Sequence, residues 1–187
     1  MLRRNVLKLA ATAGAAWTAG ALASALSSSI PIIDAHVHPF DTSRSGGVPW
    51  PEKSDTVIYK PALPPRYAKI AKPLGVVGAI AIEASPLQSD NDWVLGVIEN
   101  NPIMVGMVGD LIPGSPSYLR EFDRLHRNPL FLGIRYGNLW NRDLGADMNK
   151  PDFMPGLKRL AELGLELDTA NPNPDLIDAI TKVSAHP

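Results

Sequence analysis

The stretch Pro31-Ile32-Ile33-Asp34-Ala35-His36-Val37-His38-Pro39-Phe40-Asp41 decides how the rest of the chain is read. Its first half is short, apolar and β-branched, which suits a strand buried in a parallel sheet. Its second half sets two histidines one residue apart. Side chains alternate along a strand, so His36 and His38 point the same way, about 6.5–7 Å apart along the backbone. Two imidazoles so placed can converge on one divalent ion. They can equally hydrogen-bond at a loop start, or hold a substrate carboxylate, and the spacing alone leaves these readings level.

Working outward, four more apolar runs follow: GVVGAIAIEA, IMVGMVGD, LFLGIR and LGLELD. Helical patterns separate them near 65–74, 90–100, 116–127 and 152–163, with a last one near 173–185. Pro64-Pro65, Ser89-Asp90, Ser115-Pro116 and Asn173-Pro174 mark helix starts. Five β-then-α units predict an α/β fold with a parallel sheet and right-handed crossovers. A doubly wound open sheet and a (β/α)8 barrel both satisfy that pattern. Each of the later runs ends in an ionisable residue: Glu83, Asp110, Arg135 and Asp168. Polar strand ends surround one spot only if the sheet curls into a ring, and barrels of this class carry their active sites at that face. A doubly wound sheet usually has a Gly-rich first turn, whereas this chain has HVHPFD. The expected fold is therefore the (β/α)8 barrel. Such a barrel takes about 250 residues, and the stretch from Ile30 to Pro187 holds about 160. The expectation is an incomplete barrel of about five βα units, with a complete five-stranded domain as the competing reading.

Composition narrows the function. The chain has 187 residues, 45% apolar and 20% charged, with 18 basic and 19 acidic residues and a net charge of -1. No single-sign field predicts nucleic acid or an anionic membrane as partner, which leaves a small molecule. There are no cysteines, so a thiolate nucleophile and cysteine metal ligands are excluded. Residues 1–29 have a basic start, an Ala-rich apolar segment and small-x-small sites at Ala21-Leu22-Ala23 and Ala23-Ser24-Ala25. Arg3-Arg4 before NVLK is similar to a twin-arginine export signal, which predicts a periplasmic or secreted protein with no membrane attachment once the signal is removed. Residues 30–187 then form the barrel domain.

IIDAHVHPFD together with VVGAIAIEASP, MVGDLIPGSP, LGIRYGNLW and GLELDTANP resembles the amidohydrolase-related (amidohydrolase family 2) metal-dependent hydrolase superfamily, and its branch of sugar-acid and pyrone-dicarboxylate lactonases. The resemblance covers about 30–187. It implies a barrel with His36 and His38 at the end of the first strand, as metal ligands in most members and substrate contacts in some lactonases. It also implies that Glu83 and Arg135 line the pocket. The expected metal set is His36, His38 and Glu83 around a single zinc or manganese ion. The expected catalytic set is His36, His38, Glu83, Arg135 and Asp168. The family's further histidine and its usual aspartate base would lie beyond Pro187. The chain departs from the strongly metal-binding members at the fifth strand, where LELDTANP carries Asp168 and no histidine, which shifts weight toward a mononuclear or metal-free lactonase.

The implied reaction is hydrolysis of a lactone or similar cyclic ester or amide by activated water, on a carboxylate-bearing substrate. A decarboxylase of aromatic or unsaturated acids on the same fold, and a catalytically incomplete fragment, are the alternatives. Without a metal, His36, His38 and Arg135 would stabilise the oxyanion and bind the carboxylate. Arg135 could instead only pair with Asp168 or Glu83. Asp34 is expected to be buried and hydrogen-bonded, Asp110 to cap a turn, and His126 to sit on a helix C-terminus. His186 reads as a loop residue. The connection from Pro39 to Pro64 is long enough to cover a pocket.

Overall fold

Strand β1 (Ile32–Val37) opens the fold, and the computed structural model describes residues 30–185. It is followed by α1 (Pro64–Ala71), a 3-10 turn (Lys72–Leu74), β2 (Val76–Ile82), α2 (Asp90–Ile98), β3 (Met104–Gly109), α3 (Tyr118–Leu125), β4 (Phe131–Arg135), α4 (Leu144–Asp147), α5 (Phe153–Glu162), β5 (Glu166–Asp168) and α6 (Pro174–Ser184). The five strands are parallel and lie in the order β1-β2-β3-β4-β5. A doubly wound sheet would reverse its strand order at a switch point. This one advances in one direction, as a barrel wall does.

The sheet is curled. In a flat sheet, β1 and β4 would be three strand spacings apart, roughly 14 Å. Yet Arg135 Nη2 on β4 reaches within 3.2 Å of His36 Nε2 on β1. Curvature requires close backbone approach, and Gly133 shows why a side chain is excluded there. A Cβ on it would lie 2.1 Å from the Glu166 carbonyl oxygen of β5.

The helices form where the sequence punctuates them, though not always by the expected device. Pro64 and Pro65 occupy the first turn of α1, where a missing N–H costs nothing. Asn173 Oδ1 accepts from Leu176 N at 2.8 Å and caps α6. Ser89 precedes α2 but makes no side-chain cap, and the acidic Asp90 and Asp92 meet the positive end of the helix dipole instead. Ser115 does not start α3, which begins three residues later at Tyr118.

Packing follows helical spacing. Tyr118, Phe122 and Leu125 bury one face of α3 completely, and each such side chain contributes about 1.5–3 kcal/mol. Tyr118 also donates its hydroxyl to the Gly156 carbonyl at 2.9 Å, fixing α3 against α5. Ala79, Ala81, Met107, Phe131 and Ile134 carry the core through β2, β3 and β4. His126 caps α3 and hydrogen-bonds through Nδ1 to the Asp123 carbonyl at 3.0 Å, as its position in the sequence predicts. No helix among the described residues is long and apolar enough to cross a membrane. His186 and the export-signal reading of residues 1–29 lie outside the described residues.

Candidate active site

His36 and His38 meet at the end of β1, with their Nε2 atoms 3.1 Å apart. Their hydrogen bonds fix which nitrogens carry protons. His38 Nδ1 faces the Ile82 carbonyl of β2 at 3.0 Å, and a carbonyl only accepts, so Nδ1 is the protonated nitrogen. In neutral His38 this leaves a lone pair on Nε2. Arg135 only donates, so its Nη2 contact at 3.2 Å requires a lone pair on His36 Nε2 as well. Two lone pairs therefore face one another across 3.1 Å. That arrangement is repulsive unless an electrophile lies between them, either a proton on His38 or a metal ion. Burial lowers the His38 pKa and the nearby Arg135 guanidinium adds to the fall, against the opposing pull of the Ile82 carbonyl and of Asp168. Burial therefore disfavours a proton at that point.

The pair fits a divalent ion. With metal–nitrogen distances of about 2.0–2.1 Å, the observed separation subtends roughly 100° at the metal, between octahedral and tetrahedral geometry. The third expected ligand is not there. Glu83 turns its carboxylate to Ser85 N at 3.0 Å and to Trp140 Nε1 at 3.3 Å. Among the described residues, no group of three His, Asp or Glu converges on one point. Arg135 occupies the lone pair that His36 would offer, so an ion entering here displaces that contact.

Arg135 links the histidines to the far edge of the sheet. Its Nε donates to Asp168 Oδ2 on β5 while Nη2 reaches His36. The guanidinium is 5% exposed and the Asp168 side chain 31%. The structure thus brings together His36, His38, Arg135 and Asp168 in one chain of contacts, and the ion pair anticipated for Arg135 exists alongside its contact with His36.

Glu83 sits apart from that chain but inside the same electrostatic neighbourhood. It is buried, and burial raises its pKa; the charge of Asp110 adds to the rise, while Ser85 N–H, Arg135 and Trp140 oppose it. Trp140 was not anticipated. It adopts a left-handed backbone at φ 58, followed by Asn141 at φ 59, and this unusual turn aims the indole at Glu83. Only the LGIRYGNLW motif marks the place, and nothing in it marks the turn.

Two other expectations are corrected. Asp110 is no turn cap: it is 1% exposed, gripped by both terminal nitrogens of Arg142, with its backbone tied to the Asn91 side chain. Asp34 is half-buried rather than sealed in a core, accepting from Tyr67 Oη at 2.7 Å and from the His36 backbone N–H at 3.1 Å. The connection between β1 and α1 folds back through a Phe40–Ala62 bridge and lays Trp50 edge-on against His38, ring centres 5.3 Å apart. Arg44 pins this connection to α2, bonding Asp90 at 2.7 Å and stacking 4.4 Å over Trp93.

Solved structures share this fold. An amidohydrolase from Burkholderia multivorans with bound HEPES superposes with a TM-score of 0.72 at 19% identity, over 84% of this chain and 55% of that one. An amidohydrolase from the same organism with bound zinc gives 0.63 at 20% identity, over 74% and 48%. A probable 2-pyrone-4,6-dicarboxylic acid hydrolase from Acinetobacter baumannii with citric acid bound gives 0.65 at 18% identity, over 84% and 55%. The chain spans about half the length of these proteins. No family model and no curated protein sequence matches it. At these identities the likeness establishes the class of fold: five βα units of a (β/α)8 barrel.

Proposed function

We propose that the strand-end cluster serves a hydrolase that opens a lactone or similar cyclic ester or amide with activated water. The observation that carries this reading is the pair of facing Nε2 lone pairs on His36 and His38. It asks for an electrophile at the point where a carbonyl would be polarised. His36 and His38 are the residues that would hold a divalent ion, zinc or manganese, which when bound polarises a carbonyl and lowers the pKa of water to about 7. The zinc bound by one protein of the same fold supports that choice.

The chain's own residues have separate tasks. Ile82 fixes the tautomer of His38 through its carbonyl. Asp168 holds the Arg135 guanidinium through Nε so that Nη2 points at His36, where positive charge would stabilise a developing oxyanion. Glu83, buried beside the cluster with its pKa raised chiefly by burial, is the carboxylate that would serve as base for water. Trp50 covers one side of His38 and limits access of bulk water. Export through the N-terminal Arg3-Arg4 signal completes the proposal.

Metal analysis of the purified chain beside its His36→Ala/His38→Ala variant tests the reading. About one zinc or manganese per chain, lost in the variant together with lactone hydrolysis, is the expected result. Metal retained by the variant, or hydrolysis unchanged in it, would sink the proposal.

A further inference from the structure

A cavity of about 520 Å³ opens beside His38, between the β1–α1 connection and α1. Its volume lies in the range of small-molecule sites. The walls are apolar, built from Val37, Phe40, Trp50, Ile58, Leu63 and Ile70. Lys60 and Arg66 are the charged side chains in its lining, and no carboxylate lines it. Among the described residues, neither cation forms an ion pair; Arg66 only donates Nη1 to the Pro61 carbonyl at 2.8 Å, which steadies the guanidinium without neutralising it.

We infer that this cavity binds the body of a small organic anion, an apolar or aromatic group bearing one carboxylate, with the carboxylate at Lys60 and Arg66 and the opposite end toward His38. The charge pattern excludes the mirror-image ligand, since an organic cation would meet two like charges and no counter-charge. It also relieves Arg135 of the carboxylate-binding role foreseen for it. That guanidinium is already matched by Asp168 and turned to His36, whereas Lys60 and Arg66 have unspent charge. Trp50 lies at the junction, lining the cavity while its ring touches His38, so an occupant and the histidines share a wall. The inference rests on the hydrolase reading for the claim that the anion is a substrate; binding is measured without turnover, so each can fail alone.

The test titrates the full chain with 3-phenylpropionate, 3-phenylpropanol and 3-phenylpropylammonium while following tryptophan emission excited where the phenyl group does not absorb. The Trp50→Phe variant assigns the signal. The carboxylate is expected to saturate the change with a dissociation constant about tenfold below that of the alcohol, and the ammonium to bind weakest. Lys60→Glu/Arg66→Glu should invert that order, and Lys60→Gln/Arg66→Gln should level it if charge reversal impairs folding. Equal binding of the three probes, an order unmoved by both double variants, or no saturable change would overturn the inference.

Discussion

Two arginine–aspartate pairs grow from this sheet, and their surroundings make them different devices. Arg142 and Asp110 meet in a nearly dry setting, with side chains 9% and 2% exposed, joined through both guanidinium nitrogens and braced by Asn91. Both carboxylate oxygens of Asp110 and both terminal nitrogens of Arg142 are used inside the pair. Arg135 and Asp168 form a lopsided pair, one side chain buried and the other 31% exposed, and a guanidinium nitrogen is left over for His36. The closed pair organises structure; the open one presents charge to His36. An ion pair reads as functional when part of its hydrogen-bonding capacity points away from its partner.

The largest expected effect breaks the closed pair. Arg142→Met leaves Asp110 buried without its counter-charge and should cost about 3–5 kcal/mol in urea unfolding. A loss near that of a surface pair would erase the contrast. Arg135→Gln should behave in the opposite sense. Asp168 keeps solvent access, so the unfolding midpoint moves less than in Arg142→Met, while the proposed lactone hydrolysis should fall by roughly 10–100-fold because the group steadying His36 is gone. Greater destabilisation than in Arg142→Met would remove the distinction. Arg124→Ala supplies the lower bound, since its bond to Asp92 lies in solvent, with side chains 46% and 58% exposed, and should cost about 0.2–1 kcal/mol.

A further test is a pH dependence where Tyr67 meets Asp34. Burial and the hydrogen bond to Asp34 raise the Tyr67 hydroxyl from 10.0 to about 12. A raised folded pKa contributes stability that is fully present below pH 10.0 and lost as pH rises through about 12. Tyr67→Phe should flatten the stability profile across that window. An unchanged profile in thermal unfolding would mean that the hydroxyl does not hold Asp34.

Much of this architecture is legible in the residues because period-two and period-3.6 patterns report burial directly. PIIDAH, GVVGAIAI and IMVGMVG announce their strands, and the ionisable strand ends announce which end matters. His36, His38, Arg135 and Asp168 come together because strand parity and sheet curvature together dictate it. Contacts made by loops are another matter. Trp140 on Glu83, Trp50 on His38 and Arg142 on Asp110 depend on turns whose backbone angles no local pattern specifies. The short helix α4 was likewise invisible, since its four residues span little more than one turn, too few to show a period. Glu83 illustrates the limit most clearly: its place at the end of β2 was readable, and its turn toward Ser85 and Trp140 was not.

The contact between Arg135 and His36 joins residues separated by 99 positions in the chain. It therefore exists only in molecules whose first four strands have all assembled, and closing so long a loop comes late in folding. The contact consequently reports on the assembled sheet rather than on one strand, whereas His36 and His38 stand together at the end of β1. An ion held by the two histidines alone would displace Arg135, and so would exchange a tie across four strands for one confined to a single strand end.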